Sequence, residues 1–83
     1  MTTAQNENTP RSEVAAKVRG KAAERRISIL ALSEATGIEY SAMLRRTRGD
    51  VEFTAADLVA VANALDVDVA DLLPRRDSQA VAS

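Results

Sequence analysis

Between Tyr40 and Arg48 the sequence YSAMLRRTR sets hydroxyls and guanidiniums in close succession. Wound as a helix, it puts Tyr40, Ser41, Leu44, Arg45 and Arg48 on one side, and Ala42 and Met43, with Thr47 behind them, on the other. The polar side carries chemistry suited to the edges of base pairs. A guanidinium at Arg45 fits O6 and N7 of a guanine as a two-pronged donor, a contact worth about 1 to 3 kcal/mol of discrimination. Otherwise it is an ordinary solvated helix arginine. Ser41 can bond a base or a phosphate. Tyr40 either reaches a phosphate through its hydroxyl or stands as an inert surface aromatic. Leu44 is apolar on a face expected to be wet, which a thymine methyl would explain and partial burial would explain nearly as well. Arg48, at the end of the helix, would reach the nucleic-acid backbone across a groove, because phosphate contacts set register and base contacts set sequence. Arg46 points between the two faces and contacts phosphate or pairs with Glu39 or Asp50. Glu39 could accept from cytosine N4, but its better reading is a carboxylate favouring the positive end of the helix dipole.

Such a side must be held by neighbouring elements, and the sequence names them. Ser28 is a good N-cap for a preceding short helix, with Leu30, Leu32 and Ala35 as its apolar side. Its hydroxyl and the free amides behind it make an anion site, a second candidate phosphate contact. Gly37 supplies the left-handed residue that ends that helix, and Ile38 turns inward before the next one starts near Glu39. The pair of helices therefore spans about 28–48, and Gly49-Asp50 forms the closing turn.

A further helix precedes this pair, starting near Thr9-Pro10 or Ser12 and ending around Arg25 or Arg26. Its buried stripe is Val14, Ala15, Val18 and Ala22, and Gly20 within it would permit a close helix crossing. After the pair, Thr54 and Asp57 stand in the relation of a capping box, and Phe53 with Leu58 at staple spacing, so a fourth helix buries Leu58, Val61, Ala62 and Leu65. Asp68 with Asp71, and Val67 with Leu72, repeat the device for a short fifth helix stopped by Pro74. No segment alternates as a strand does. The fold class is all-α, one domain over 9–74, with a disordered tail at 1–8 and a flexible tail at 75–83.

Charge divides along the chain. The whole has a formal charge of -1 and a pI near 5.3, unlike a protein coated with cations. Yet Arg11 to Gly49 holds nine Lys and Arg against four acids, and Asp50 to Pro74 holds six acids and no base. Such a chain can turn a cationic face to phosphates while staying near neutral, although charges that merely solvate helices would look similar. Lys21 and Arg25 add diffuse attraction on this reading, with Lys17 beside them. The absence of cysteine and histidine removes disulfides, Cys/His zinc sites and Cys or His nucleophiles. No apolar run approaches the roughly 20 residues that cross a bilayer, and the start MTTAQNENTP lacks the pattern of a signal peptide. A cytoplasmic protein with no metal, cofactor or small-molecule ligand is expected.

Three motifs in order carry a family resemblance over roughly Ser12 to Pro74. LSEATGI at Leu32 to Ile38 resembles the L-A-x-x-x-G-V core of lambda-repressor-like, Xre/Cro helix-turn-helix regulators. YSAMLRRTRG is similar to their recognition helix and closing turn, and LVAVANALDVDVADLL to their closing helices. RRTRGDVEFT is also similar to small regulators of actinobacteria and their phages. The resemblance implies a compact five-helix domain whose recognition helix, about 39–48, enters the major groove. Tyr40, Ser41, Leu44 and Arg45 would read bases, and Ser28, Arg46 and Arg48 would hold phosphates. It implies a Cro- or repressor-like transcriptional regulator, pairing as a homodimer on a palindromic operator. Three departures stand out: Ser33 where the family usually has Ala, Thr47 where Leu is common, and Glu39 where a shorter residue caps. The first two are expected to lower packing quality without threatening the fold.

Other functions fit less well. The carboxylates sit as caps and exposed charges, with no glycine-rich phosphate loop and no nucleophile-base pair, so an enzyme is not expected. Two aromatics, Tyr40 and Phe53, make a poor stacking platform for single strands. The serious alternative is a protein-binding module on the same fold, antitoxin-like or antirepressor-like, using the acidic second half.

Overall fold

The computed structural model describes residues 9–74; the tails expected at 1–8 and 75–83 lie outside the described residues. Four α-helices follow in order: α1 Pro10–Glu24, α2 Ile29–Thr36, α3 Tyr40–Arg48 and α4 Ala55–Leu65, then a short 3-10 helix Val69–Leu72. No strand occurs among the described residues. Among the described residues the fold is all-α, with four α-helices and a 3-10 helix in place of the expected fifth helix.

Helix ends lie where local chemistry puts them. Thr9 caps α1 by accepting from the Ser12 amide at 3.1 Å, with Pro10 in the first turn. Ser28 caps α2 by accepting from the Ala31 amide at 3.0 Å. Thr54 and Asp57 form the expected capping box of α4. Gly37 and Gly49 close α2 and α3 with φ of 82° and 88°, in the left-handed region where a Cβ is penalised.

The core is one cluster in which Val18, Ala22, Leu32, Met43, Leu58, Val61, Ala62, Leu65 and Leu72 are buried, with Val14, Ile27, Ile29, Ile38, Phe53 and Val67 packed against it. Both expected staple pairs, Phe53 with Leu58 and Val67 with Leu72, belong to it. α3 packs on α1 and α2, and α4 packs on α2.

Three expectations need correction. In α2, Leu30 and Ala35 face solvent, and the inward side is Ile29, Leu32, Ser33 and Thr36. The phase is set by a face that includes two hydroxyl residues, each given a partner. Ser33 Oγ donates to the Ile38 carbonyl at 2.6 Å, and Thr36 Oγ1 donates to the Leu32 carbonyl at 2.8 Å while accepting from the Ile38 amide at 3.2 Å. Ser33, 7% exposed, therefore ties the interhelical turn instead of merely loosening its packing. Gly20 is exposed, and a Cβ there would meet nothing within 4 Å. The close approach falls at Gly49, where a Cβ would lie 3.7 Å from Ser12 Cα and 3.8 Å from Ala15 Cβ.

The last segment is the third correction. Asp68 makes no side-chain cap bond, because the Asp71 amide donates to the Asp68 backbone carbonyl at 2.9 Å instead. Pro74 then forces its predecessor Leu73 into an extended conformation, φ -95° and ψ 157°, so no full α-helical turn can close.

Candidate nucleic-acid interface

α3 divides as its spacing implies. Met43 and Thr47 are buried, Tyr40, Ser41, Arg45 and Arg48 are exposed, and Leu44 is half-buried. The structure thus brings Tyr40, Ser41, Leu44, Arg45 and Arg48 onto one helix side. Partial burial accounts for some of the apolar character at Leu44. Glu39 is the residue before the helix rather than its first turn; its side chain makes no cap bond. α3 itself contains no acid, and its last turn holds Arg45, Arg46 and Arg48, where cations suit the negative end of the dipole.

Ser28 is exposed at the start of α2. Its oxygen already accepts from the Ala31 amide, so any anion there would meet the hydroxyl proton and the remaining free amides. Lys21 pairs with Glu24 within α1 at 3.5 Å, and Arg25 Nη2 donates to the Asp66 carbonyl at 3.3 Å. Neither of these contacts involves α3.

Arg46 behaves differently from its neighbours. Its Nε donates to Asp57 Oδ2 at 3.1 Å and its Nη1 to the Ala42 carbonyl at 3.2 Å. The acid expected beside it was Glu39 or Asp50; the one that meets it is Asp57, eleven residues on and on another helix. Arg19, which the sequence reading did not single out, donates Nη1 to the Thr47 carbonyl at 2.6 Å and so ties α1 to the end of α3. Its place one turn after Ala15, at the edge of the buried stripe, was the available signal. Asp57 was visible only as a cap, because helix contacts across a loop leave no periodic trace.

Among the described residues no group of acidic, histidine or cysteine side chains could hold a metal ion. No helix there is long and apolar enough to cross a membrane.

Comparison with known proteins agrees with this geometry. No curated protein matches the chain. Among solved structures it is similar to the clp gene regulator ClgR from Corynebacterium glutamicum, at TM-score 0.76 and 27% identity, covering 80% of this chain and 70% of that one. It also has the fold of the restriction-modification controller protein C.AhdI from Aeromonas hydrophila, at TM-score 0.70 and 20% identity, covering 74% of this chain and 92% of that one. The DNA-binding domain of BldD shares that fold at TM-score 0.67 and 24% identity, covering 77% and 93%. The described family is a DNA-binding one rather than an enzyme family. With residues 17–77 matched, the chain belongs to the Cro/C1-type helix-turn-helix DNA-binding domain family.

Proposed function

We propose that the protein is a sequence-specific regulator of transcription that lays α3 in the major groove of duplex DNA. The observation that carries this is the division of α3, an acid-free helix with Met43 and Thr47 buried and Tyr40, Ser41, Arg45 and Arg48 exposed. A B-form major groove, about 12 Å wide, admits a helix of that kind. Arg45 reads guanine, Ser41 and Tyr40 read neighbouring base edges or phosphate, and the exposed part of Leu44 meets a thymine methyl. Arg48 and the Ser28 cap hold phosphates on either side. The similarity to a clp gene regulator supports a role in controlling genes; repression is the simplest form, by occupying an operator.

One such helix reads few base pairs, so the protein acts as a homodimer on a palindromic site with half-sites about one helical turn, roughly 34 Å, apart. Selection of bound duplexes from a random pool tests the reading. A palindromic consensus is expected. Arg45→Ala then loses preference for it, while Arg48→Ala weakens every duplex and lowers the salt slope by about 0.9. Retained preference in Arg45→Ala would refute the reading residue. No enrichment at all would favour a protein-binding module, a reading supported by the base-free stretch Asp50 to Pro74 and by exposed Val69 and Leu73 within it.

A further inference from the structure

Arg46 stands beside the side of α3 that reads DNA, yet its guanidinium is turned into the protein. Asp57 Oδ2 receives two donors, Arg46 Nε at 3.1 Å and the Thr54 amide at 3.2 Å. The second bond is half of the capping box that starts α4. One carboxylate oxygen therefore joins the first turn of α4 to the last turn of α3. Both side chains are mostly shielded, at 21% and 20% exposure, so water competes for the pair less than at an open surface. The second arm of Arg46 reaches the Ala42 carbonyl, which lies between Ser41 and Met43, next to the expected reading residues.

We propose that Arg46 and Asp57 are positioning residues for DNA recognition: the pair fixes the rotation and depth of α3 against α4, so that Ser41, Leu44 and Arg45 present to the groove in one register. This rests on the duplex-reading function proposed above. It also gives Arg46 a different task from the phosphate contact that its charge suggests, because a guanidinium held by Asp57 and Ala42 is not free to turn outward without breaking both bonds. Positioning acts through geometry. A helix free to roll loses base discrimination while keeping its net charge.

Lysine separates the two roles. It is an adequate point-charge partner for phosphate but lacks the planar fork that serves Asp57 and the Ala42 carbonyl together. The test compares wild type, Arg46→Lys, Arg46→Ala, Asp57→Asn and Thr54→Ala. Each binds two fluorescent duplexes, the consensus selected by the wild type and a scrambled one, over a series of salt concentrations. Melting is followed by circular dichroism. Asp57→Asn retains an oxygen for the Thr54 amide and loses the charge that orients Arg46. Thr54→Ala weakens the cap and leaves the pair, so it reports stability alone.

The expected result is that Arg46→Lys and Asp57→Asn each lower the consensus-to-scrambled affinity ratio about three- to tenfold, in the lower part of the range of coupling for partners in one network. For Arg46→Lys, which keeps the net charge, binding to the scrambled duplex and its salt slope stay unchanged; Asp57→Asn, which removes one negative charge, binds the scrambled duplex more tightly; and Thr54→Ala lowers Tm without moving the ratio. Two results overturn the proposal. If Arg46→Lys keeps the ratio, or if Asp57→Asn is inert where Arg46→Ala cuts the salt slope by about one contact, Arg46 is a phosphate ligand. If Thr54→Ala lowers the ratio as much as the pair variants do, stability and not register is responsible. Failure of the wild type to select any duplex would refute the underlying function instead, a distinct outcome.

Discussion

Arg19→Met removes the tether between α1 and the end of α3 while leaving most of the aliphatic stem in place. The last turn of a helix has carbonyls without intrahelical partners. In α3, the Arg45 carbonyl accepts from the Asp50 amide at 3.0 Å and the Arg46 carbonyl from the Gly49 amide at 3.1 Å. The Thr47 carbonyl is served by Arg19 at 2.6 Å. A hydrogen bond from a charged donor contributes about 1.5 to 3 kcal/mol, and the lower end applies because Arg19 is exposed and water can replace part of it. In a domain of this size each kcal/mol shifts Tm by about 4–8 °C, so a fall of about 6–12 °C is expected by circular dichroism. Salt distinguishes the cause. A short, part-buried bond to a carbonyl persists at roughly 0.5 M salt, whereas diffuse attraction between Arg19 and distant acids is screened. The difference in Tm between wild type and variant should therefore be the same at low and high salt. An unchanged Tm would refute the tether, and a difference that vanishes in salt would assign Arg19 to general electrostatics.

Ser33→Ala removes the donor to the Ile38 carbonyl and should cost about 1 kcal/mol in urea unfolding, although Ala fills the helix contact equally well; a neutral result would mean that the turn does not need the bond. The two glycines should respond with opposite signs. Gly20→Ala, on an exposed stretch of α1 with open space around it, should stabilise by about 0.5–1 kcal/mol. Gly37→Ala, at φ 82°, should destabilise by about 1–2 kcal/mol, both read from denaturant midpoints.

Features that depend on a few consecutive residues were legible in the sequence. Thr9, Ser28 and Thr54 cap where a hydroxyl precedes a helical pattern, and Gly37 and Gly49 stop helices because only their conformation ends them cheaply. The phase of α3 was equally readable, since Met43 and Thr47 differ sharply from the charged residues around them. α2 was harder. Its buried side contains Ser33 and Thr36, and counting apolar residues pulls the inferred face towards Leu30 and Ala35, both of which face solvent. The hydroxyls belong inside because the turn after Gly37 supplies Ile38 backbone groups for them, and that requires the fold. The segment after α4 failed for a related reason. The spacing of Asp68 and Asp71 matches a capping box, but a short stretch ended by a pre-proline residue closes 3-10 bonds first.

The charge division acquires a sharper meaning once the partners are known. The basic half is not a uniform cationic surface, because several of its bases are spent within the fold. Arg46 is held by Asp57, Arg19 by the end of α3, Arg25 by the Asp66 carbonyl and Lys21 by Glu24. What α3 leaves exposed is Arg45 and Arg48. A long row of phosphate contacts gives strong binding to any sequence, and α3 itself leaves only two bases exposed with which to build one. If α3 reads bases as proposed, few phosphate contacts from it make base contacts a larger share of the whole, which favours discrimination over bulk affinity. Discrimination of that kind requires a helix that does not roll. Arg19 and Arg46 are the bases that join α3 to α1 and to α4, and the proposed second copy on a symmetric site would add the affinity that a short row of phosphate contacts does not supply.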